Sequence, residues 1–460
     1  MPDDPGALMD LAHRATKLGR PEIERQRTER LAEAVAHARA RSRYFRELYA
    51  GLRAHVDDVT ALPVTDKERL MERFDDWVTD PDITLEAVKR FVNEPARAGE
   101  IYRDGYTVAT TTGTSGQRGI FLSDTHTWAV SRVIGARRTK AMFGGPLRAA
   151  SVRLRGGRST SIVATHGHYA AYSMMRQRLR DDPKSAKRSE ILSVISPIDE
   201  LVDHLNARRP ALLTAYASVA ALLAAEQEAG RLRISPTIVA LAAEGLADTE
   251  YERIGRAFGC RAYNMYSSSE SLVLAATCSH GWFHINEDWL YYEPVDADGA
   301  PTPPGEPSHT VLLSVLYRRE QPILRYDLGD SVTVRPDGCP CGSPFLAVKV
   351  NGRACDGLRL TNADGEVVPV AAVAVVTTVE RTVGVDGYQV IQTEPSVLEV
   401  RLRVSPGADA AAVWDSVCDD LRSMLDNYDL VKIAVARSAE PPERSPGGKH
   451  RKVVPLQSAT

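Results

Sequence analysis

One ten-residue stretch of the chain, TTTGTSGQRG, combines hydroxyl side chains with glycines between two short apolar runs. It extends from Thr110 to Gly119. Glycines let the backbone approach an anion closely, and amide N–H groups and hydroxyls can then donate hydrogen bonds to phosphoryl oxygens. The P-loop of nucleotide-binding proteins opens directly into a helix, whereas the apolar run 120–122 predicts a second strand here. The stretch is therefore either a phosphate-binding loop of another kind or a flexible Ser/Thr-Gly turn.

Cysteine and histidine residues suggest a second chemistry. The six cysteines are too sparse for a disulfide scaffold, so clustered ones are better interpreted as metal ligands or reactive thiols. Three thiolates and one imidazole make a tetrahedral structural zinc site. The candidate ligands are Cys278, His284, Cys339 and Cys341. His280 is the alternative fourth ligand, and inert buried cysteines beside a core histidine are the alternative to a metal site. Cys260 and Cys418 have apolar neighbours and are expected to be packing residues.

The elements that must position these side chains change in type along the chain. Residues 7 to about 100 are rich in Ala, Arg, Glu and Leu at helical spacing, which predicts a helical N-terminal segment. Further on, ALLTAY and TIVALAAE predict two strands, with a helix between them that Ser218 caps and Gly230 ends. This βαβ rhythm predicts an α/β fold with largely parallel, helix-covered sheets.

Length and composition predict the domain organisation. A chain of 460 residues exceeds one ordinary core. We expect a large N-terminal domain over residues 1–353, which includes the helical segment 1–100, and a small α+β domain over residues 354–460. The net charge of −3 gives no reason to expect nucleic acid or an anionic membrane as a partner. Because the chain has no long apolar run and an acidic start, we expect a cytoplasmic location. We expect a monomer or a homodimer.

Four further short motifs follow the Thr/Ser-Gly loop in order. Each alone is typical of an ordinary polar loop, turn or basic tail. They are YSSSES from Tyr266, RYDLGD from Arg325, GRACD from Gly352 and GGKH from Gly447. With the loop, this order resembles the adenylate-forming superfamily of acyl-CoA synthetases, peptide-synthetase adenylation domains and luciferases. Through PILRYDLGD, HINED and CPCG, the chain is most similar to the phenylacetate-CoA ligase and coenzyme F390 synthetase branch.

This resemblance implies that ATP and Mg²⁺ convert a carboxylic acid into an acyl-AMP. Loop residues would hold the β- and γ-phosphates: Thr111, Thr112, Gly113, Thr114, Ser115 and Gly116. Glu270 would bind Mg²⁺, which prefers carboxylate and phosphate oxygens, and Lys449 would reach the α-phosphate. A further set would hold the nucleoside: Glu244, Gly245, Tyr266, Ser269, Asp330 and Arg353. In that set Tyr266 would pack on adenine, and Asp330, rather than Asp327, would accept both ribose hydroxyls.

The chain departs from the family pattern at three places. The loop ends QRG, where many relatives carry a proline followed by a lysine. The expected hinge carries Cys355 before Asp356, where relatives usually carry Asp or Lys. The segment TNADGEVVPVAAV lacks the Gly-rich loop that lies near the thioester-forming tunnel of CoA ligases, so CoA is in doubt as the acceptor and an amine or hydroxyl is an alternative. Lys452 is the alternative tail lysine, and we expect its replacement to have little effect.

The acid pocket is expected near HGHY, between a strand and a helix. His166, His168 and Tyr169 are the candidate substrate contacts, although a satisfied loop histidine is an equal interpretation. Tyr169 and Tyr172 would suit a flat aryl acid. The sequence thus predicts an AMP-forming ligase for a small, aromatic carboxylic acid. The alternatives are an ATP-dependent diazotase that activates nitrite for an aryl amine, and a non-catalytic nucleotide-binding protein of the same fold.

Overall fold

The computed structural model describes residues 4–103, 105–111, 119–143, 146–165, 167–242, 246, 248–351, 357–443 and 452–456. The α-helices are α1 Pro5–Leu18, α2 Arg20–Arg41, α3 Arg43–Leu48, α4 Lys67–Glu72, α5 Phe74–Trp77, α6 Leu85–Val92, α7 Thr125–Phe143, α8 Pro146–Leu154, α9 Ala170–Asp181, α10 Pro183–Ala186, α11 Ile198–Arg208, α12 Ala217–Glu228, α13 Asp248–Phe258, α14 Ala372–Glu380 and α15 Ala410–Asn427. No helix within these ranges is long and apolar enough to cross a membrane.

The strands alternate with the helices in the middle of the chain and dominate after it. They are β1 Ile101–Tyr102, β2 Tyr106–Thr110, β3 Ile120–Ser123, β4 Ser159–Val163, β5 Ser189–Ser193, β6 Leu212–Tyr216, β7 Ile238–Ala242, β8 Ala262–Tyr266, β9 Ala275–Thr277, β10 Phe283–Ile285, β11 Leu290–Val295, β12 Thr310–Val315, β13 Ile323–Asp327, β14 Val332–Val334, β15 Ala347–Val350, β16 Leu358–Thr361, β17 Val367–Val370, β18 Val385–Glu394, β19 Val397–Val404, β20 Ala434–Arg437 and β21 Val453–Val454. The fold class is α/β, as the sequence predicts.

Helices α1 to α6 form the helical N-terminal segment. Side chains cap the first turns of α1, α3, α4 and α6. At α1 the amide of Ala7 donates to the Asp4 carboxylate at 2.8 Å, and Pro5 occupies the first turn. The segment is packed on the β-rich part of the molecule, since the indole N–H of Trp77, a fully buried side chain, donates to the carbonyl of Pro322 at 2.8 Å. This segment therefore belongs to the main hydrophobic core.

A nine-stranded sheet lies at the centre, in the order β14-β15-β10-β9-β8-β7-β6-β4-β5. The strands from β8 to β5 are parallel and are connected through helices α9 to α13, while the strands from β8 to β14 are antiparallel. The βαβ prediction is confirmed by β6, α12 and β7. Ser218, however, lies inside the first turn of α12 and does not cap it, because β6 continues directly into the helix and Tyr216 occupies the N-cap position.

Two three-stranded antiparallel sheets flank the central sheet, one of β1, β2 and β3 and the other of β11, β12 and β13. The Thr/Ser-Gly loop connects β2 to β3. The first of these sheets therefore supports the candidate phosphate loop, and Asp330 follows the last strand of the second.

The residues after 357 form two further sheets, β16-β17 and β20-β19-β18-β21, which share a core with α14 and α15. This C-terminal segment contacts the rest of the molecule through several groups. The hydroxyl of Tyr428 donates to the carbonyl of Ser196 at 3.1 Å, and Ala371 packs into the core beneath the parallel strands. The segment is thus docked beside the β5–α11 connection.

Candidate active site

The ends of the candidate phosphate loop are closed on each other. The amide of Thr111 donates to the carbonyl of Gly119 at 2.9 Å, and the amide of Gly119 donates to the Thr111 hydroxyl at 2.9 Å. A Cβ on Gly119 would lie 2.8 Å from the Phe121 ring, so this position requires glycine. The loop residues Thr112, Gly113, Thr114, Ser115 and Gly116 lie outside the described residues.

A lysine that the sequence analysis missed lies beside the base of this loop. A Cβ on Gly119 would lie 3.3 Å from Cδ of Lys67, the first residue of α4. The segment before Lys67 pairs with β13: the amide of Thr65 donates to the carbonyl of Arg325 at 2.9 Å, and the amide of Asp327 donates to the carbonyl of Thr65 at 2.8 Å. The only sequence signal is LPVTDK, which interrupts the helical pattern.

Glu270, the predicted Mg²⁺ ligand, lies in the loop after β8 and is 6% exposed. The hydroxyl of Tyr326 donates to its Oε1 at 3.0 Å, and burial raises the pKa of Tyr326 well above its ordinary value, so the tyrosine remains a donor. The buried guanidinium of Arg318 donates to the carbonyl of Glu270 at 2.8 Å and also contacts the carbonyl of Leu122 in β3. Arg318 thereby fixes the Glu270 loop relative to the strand that follows the phosphate loop.

The predicted nucleoside contacts Tyr266 and Asp330 meet in the structure. The Tyr266 hydroxyl donates to Oδ2 of Asp330 at 2.7 Å, and burial raises the pKa of Tyr266 well above its ordinary value. Asp330 is buried, whereas Asp327 is exposed and its Oδ1 accepts from the amide of Gly329 at 3.0 Å within its own turn. Ser269 lies in the same loop as Glu270, and its carbonyl accepts from Arg318 at 3.1 Å. Asp330 thus contacts a second predicted nucleoside residue, whereas Asp327 stabilises its own turn.

Several predicted residues of the active site lie outside the described residues, and they are His166, Glu244, Gly245, Arg353 and Lys449. The two remaining candidates of the acid pocket are described. His168 is 2% exposed, and its ring centroid lies 4.9 Å from that of Phe91, which favours the packing interpretation of this histidine. Tyr169 is 9% exposed, and its hydroxyl donates to Oε2 of Glu380 in the C-terminal segment at 3.2 Å.

The four candidate zinc ligands come together. Their ligand atoms, contributed by Cys278, His284, Cys339 and Cys341, lie within 4.8 Å of one another. Cys278 Sγ and Cys339 Sγ are 3.7 Å apart, and Cys341 Sγ lies 3.2 Å from Nε2 of His284. Zn–S and Zn–N bonds of tetrahedral zinc imply S···S and S···N separations of about 3.8 Å and about 3.6 Å. The donor set and its spacing fit a zinc ion.

Strand pairing produces this cluster. Cys278 follows β9, His284 belongs to β10, and the two other cysteines precede β15, and these three strands are neighbours in the central sheet. The Nδ1 of His284 lies 3.0 Å from the carbonyl of Phe345, an arrangement that leaves Nε2 toward the thiols. His280, the alternative ligand, is exposed and is not part of the cluster.

The thiols of the cluster differ in acidity. Burial alone would raise the pKa of Cys278, but hydrogen bonds from the His284 ring and from the amides of His280 and Trp282 lower it to about 6. Burial raises the pKa of the Cys341 thiol to about 12. Cys260, the predicted packing cysteine, also has its pKa raised by burial, to about 11. A metal ion would supply the positive charge that a second and third thiolate require.

The HINED motif has a structural role around the cluster. Its Asp288 is fully buried and accepts two hydrogen bonds from Arg137 of α7, at 2.7 and 2.8 Å. The Asn286 side chain accepts from Arg137 and from Arg138, each at 2.8 Å. Such bidentate, charge-assisted bonds are geometrically specific, so the motif attaches α7 to the strand that carries His284.

Solved structures of one enzyme share this architecture. The structure of 2-hydroxyisobutyryl-CoA ligase with 2-HIB-AMP and CoA in the thioesterification state is 19% identical, covers 96% of this chain and 91% of that chain, and has a TM-score of 0.60. Its post-adenylation state with R3-HIB-AMP is 18% identical over the same shares of both chains, with a TM-score of 0.58. No family model matches the chain, and no curated protein matches its sequence. At this identity the likeness establishes the architecture alone: this chain has the fold of 2-hydroxyisobutyryl-CoA ligase.

Proposed function

We propose that this protein is an ATP- and Mg²⁺-dependent ligase that converts a small carboxylic acid into an acyl-AMP and then transfers the acyl group to an acceptor. The observation that carries the proposal is that Arg318 joins the loop of Glu270 to β3, the strand after the Thr/Ser-Gly loop, while Tyr266 of the preceding strand contacts Asp330. These groups have chemistry that a nucleoside triphosphate requires: a carboxylate for the metal and an acceptor for the ribose, beside a loop whose hydroxyl and glycine residues would supply donors for the phosphates.

In the proposed reaction, a carboxylate oxygen of the acid attacks the α-phosphorus of ATP. A new P–O bond forms, and the bond from the α-phosphorus to the bridging oxygen breaks, which releases pyrophosphate. Bound Mg²⁺ would neutralise phosphate charge, and Glu270 would hold it. Tyr266 and Asp330 would orient the nucleoside, the loop that Thr111 begins would hold the β- and γ-phosphates, and Lys67 would add a cation beside them. Lys449 would stabilise the charge that develops at the α-phosphate.

The acceptor, the aromatic character of the acid and the mobility of the C-terminal segment are finer parts of the same proposal. The 2-hydroxyisobutyryl-CoA ligase structures with CoA support a thiol acceptor. The segment that lacks the Gly-rich loop contains the turn of the β16–β17 hairpin. Because that loop lies near the thioester-forming tunnel of CoA ligases, its absence leaves an amine or a hydroxyl as the alternative acceptor. The side chain of Tyr169 beside the candidate pocket suits an aryl acid. Movement of residues 354–460 as a domain, about a hinge at Cys355, is supported by the core that most of this segment forms with α14 and α15. Ala371 would leave the core of the body in that movement.

ATP–pyrophosphate exchange over a panel of aryl and aliphatic acids tests the first half-reaction. We expect exchange with at least one acid, strongest for small aryl acids, and its loss in Lys449→Ala with unchanged thermal unfolding. Exchange only with nitrite and an aryl amine would indicate a diazotase, and no exchange with any member of the panel would contradict the ligase proposal. Mass spectrometry of products formed with CoA, amines or alcohols then identifies the acceptor.

We also propose that Cys278, His284, Cys339 and Cys341 hold one structural zinc ion. Support comes from the donor set, from the separations of the ligand atoms and from the hydrogen-bond partner of His284. With four protein ligands, such a site has no open position for substrate. Its role is therefore to hold β9, β10 and the chain before β15 together.

A further inference from the structure

The side chain of Glu380 joins three groups from distant parts of the chain. It is the last residue of α14 and is 5% exposed. The Tyr169 hydroxyl donates to its Oε2 at 3.2 Å, the Tyr388 hydroxyl donates to its Oε1 at 3.2 Å, and the ammonium group of Lys452 forms an ion pair with Oε1. The carboxylate is thus held by two hydroxyls and a cation.

The contacts of Glu380 offset the unfavourable position of its carboxylate. The C-terminal end of a helix carries a partial negative charge, and a buried carboxylate in the last turn adds to it. Helix α14 has no basic residue in its last turn. The cation comes from the tail, where Lys452 immediately precedes β21 and its carbonyl accepts from the amide of Val390 at 2.8 Å. The tail is therefore fixed by charge and by strand pairing three residues after Lys449.

On its other side, Glu380 reaches the candidate phosphate loop. Tyr169 forms a parallel bridge with Thr110, and the amide of Thr110 donates to the carbonyl of His168 at 2.7 Å. The next residue, Thr111, closes the loop base on Gly119. A continuous series of contacts therefore connects the loop base, the candidate acid pocket, Glu380 and the tail.

We propose that Glu380 is a positioning residue that couples the tail carrying Lys449 to the phosphate loop through Tyr169. The contacts of Glu380 with Tyr388 and Lys452 lie within the C-terminal segment, so they would persist if that segment moved. The contact with Tyr169 crosses to the body and exists only while the segment is docked. The hydrogen bond from Tyr169 thus favours the docked arrangement. The effect of docking on the reaction rests on the proposed function. The coupling between the tail and the phosphate loop does not depend on it.

Hydrogen exchange of the full chain without substrate tests the coupling. The peptides to follow cover residues 194–198 and 372–380, where the body and the C-terminal segment meet. Because a hydrogen bond to a charged group is a strong one, we expect Tyr169→Phe to raise exchange at both peptides by roughly tenfold. The matched control is Tyr388→Phe, which removes a hydroxyl from the same carboxylate and from the carbonyl of Val376, both within the C-terminal segment. It should leave exchange of the body peptide 194–198 near the wild-type rate. Unchanged exchange in Tyr169→Phe, or equal effects of both variants at residues 194–198, would overturn the coupling.

A second measurement separates positioning from packing. We expect Glu380→Gln to lower the turnover of pyrophosphate exchange by roughly tenfold with unchanged KM for ATP and acid, while conversion of supplied acyl-AMP keeps its rate. A loss shared by both half-reactions, or a raised KM alone, would contradict a positioning role. If Tyr169→Phe increases junction exchange but the wild type exchanges pyrophosphate with no acid, the coupling stands and the proposed function fails.

Discussion

Tyr266 donates its hydroxyl to Asp330 at 2.7 Å, and this bond joins the end of β8 to the turn after β13. The two residues are far apart in the sequence, yet both belong to motifs expected to bind the nucleoside. Asp327, the other carboxylate of RYDLGD, accepts from the Thr310 hydroxyl at 2.5 Å and from the amide of Gly329. The structure thus separates a buried aspartate that contacts Tyr266 from one that stabilises its own turn.

Replacing Asp330 should weaken nucleotide binding. Hydrogen bonds to a charged acceptor contribute about 2 kcal/mol, so Asp330→Asn should raise KM for ATP by roughly thirtyfold. ATP–pyrophosphate exchange at varied ATP concentration measures this effect. Asp327→Asn keeps an oxygen for the turn and should change KM for ATP little. The nucleoside assignment would be wrong if the two variants behaved alike.

Removing the ammonium group of Lys67 should weaken the interaction with the β- and γ-phosphates. Lys67→Met keeps the length of the side chain and its packing near Gly119, so thermal unfolding should not change, while KM for ATP should rise by roughly tenfold or more. The matched control is Arg69→Met, which removes a cation from the same helix. The Arg69 side chain is 67% exposed. An equal KM in both variants would show that Lys67 is a surface charge.

Loss of one thiolate should release the proposed zinc. Protein purified without chelator should contain about one zinc ion per chain, and Cys339→Ser should lose most of it and unfold at a lower temperature. Elemental analysis and a thermal scan provide the measurements. Cys260→Ser serves as a matched control. Because Cys260 lies outside the cluster, this variant protein should retain its zinc. Wild-type protein without zinc would contradict the site.

Lys452 forms an ion pair with Glu380, so its replacement should have a larger effect than the sequence suggests. Its side chain is 10% exposed, and that of Glu380 is 5% exposed. Removing one partner of a buried pair leaves the other charge uncompensated, so Lys452→Ala should lower the free energy of unfolding by about 3 kcal/mol. Denaturant unfolding measures this loss, and Lys432→Ala, at an exposed position, should stay within about 0.5 kcal/mol of wild type. If Lys452→Ala left the free energy of unfolding unchanged, the ion pair with Glu380 would not contribute to stability.

The carboxyl pair of Asp124 and Glu320 should make stability depend on pH. Burial and the neighbouring Asp124 raise the pKa of Glu320 well above its ordinary value. Burial would also raise the pKa of Asp124, but hydrogen bonds from Glu320 and from Thr127 lower it. The folded state therefore holds a proton on Glu320 that the unfolded state releases above the ordinary carboxyl pKa.

Since the folded state binds more protons than the unfolded state in that range, the free energy of unfolding falls as pH rises. Glu320→Gln supplies a permanent N–H donor in place of the carboxyl O–H. It should flatten this decline in the range that begins at the ordinary carboxyl pKa, about pH 4 to 5. Chemical denaturation across that range is the measurement. A variant with the same slope as wild type would indicate that Glu320 is ionised in the folded protein.

The sequence by itself determined the local elements and the chemical types of the site. Periodic apolar residues were sufficient for the helical N-terminal segment and for the β6–α12–β7 unit, because such elements depend on neighbours within a few residues. Cys339 and Cys341 are close in the chain, so their proximity needed no fold. The order of the motifs indicated the adenylate-forming fold.

Only the tertiary structure decided between alternatives that depend on distant contacts. His284 joins the thiols because β10 lies between β9 and β15, while His280 lies in an exposed turn. Lys67 reaches the loop base because the residues before it pair with β13. Lys452 is held in place because it forms an ion pair with Glu380 at the end of α14. In each case the partners are separated by many residues. Sequence spacing constrains neighbours along a helix or strand, whereas pairing across the molecule depends on how the strands are ordered and the cores packed.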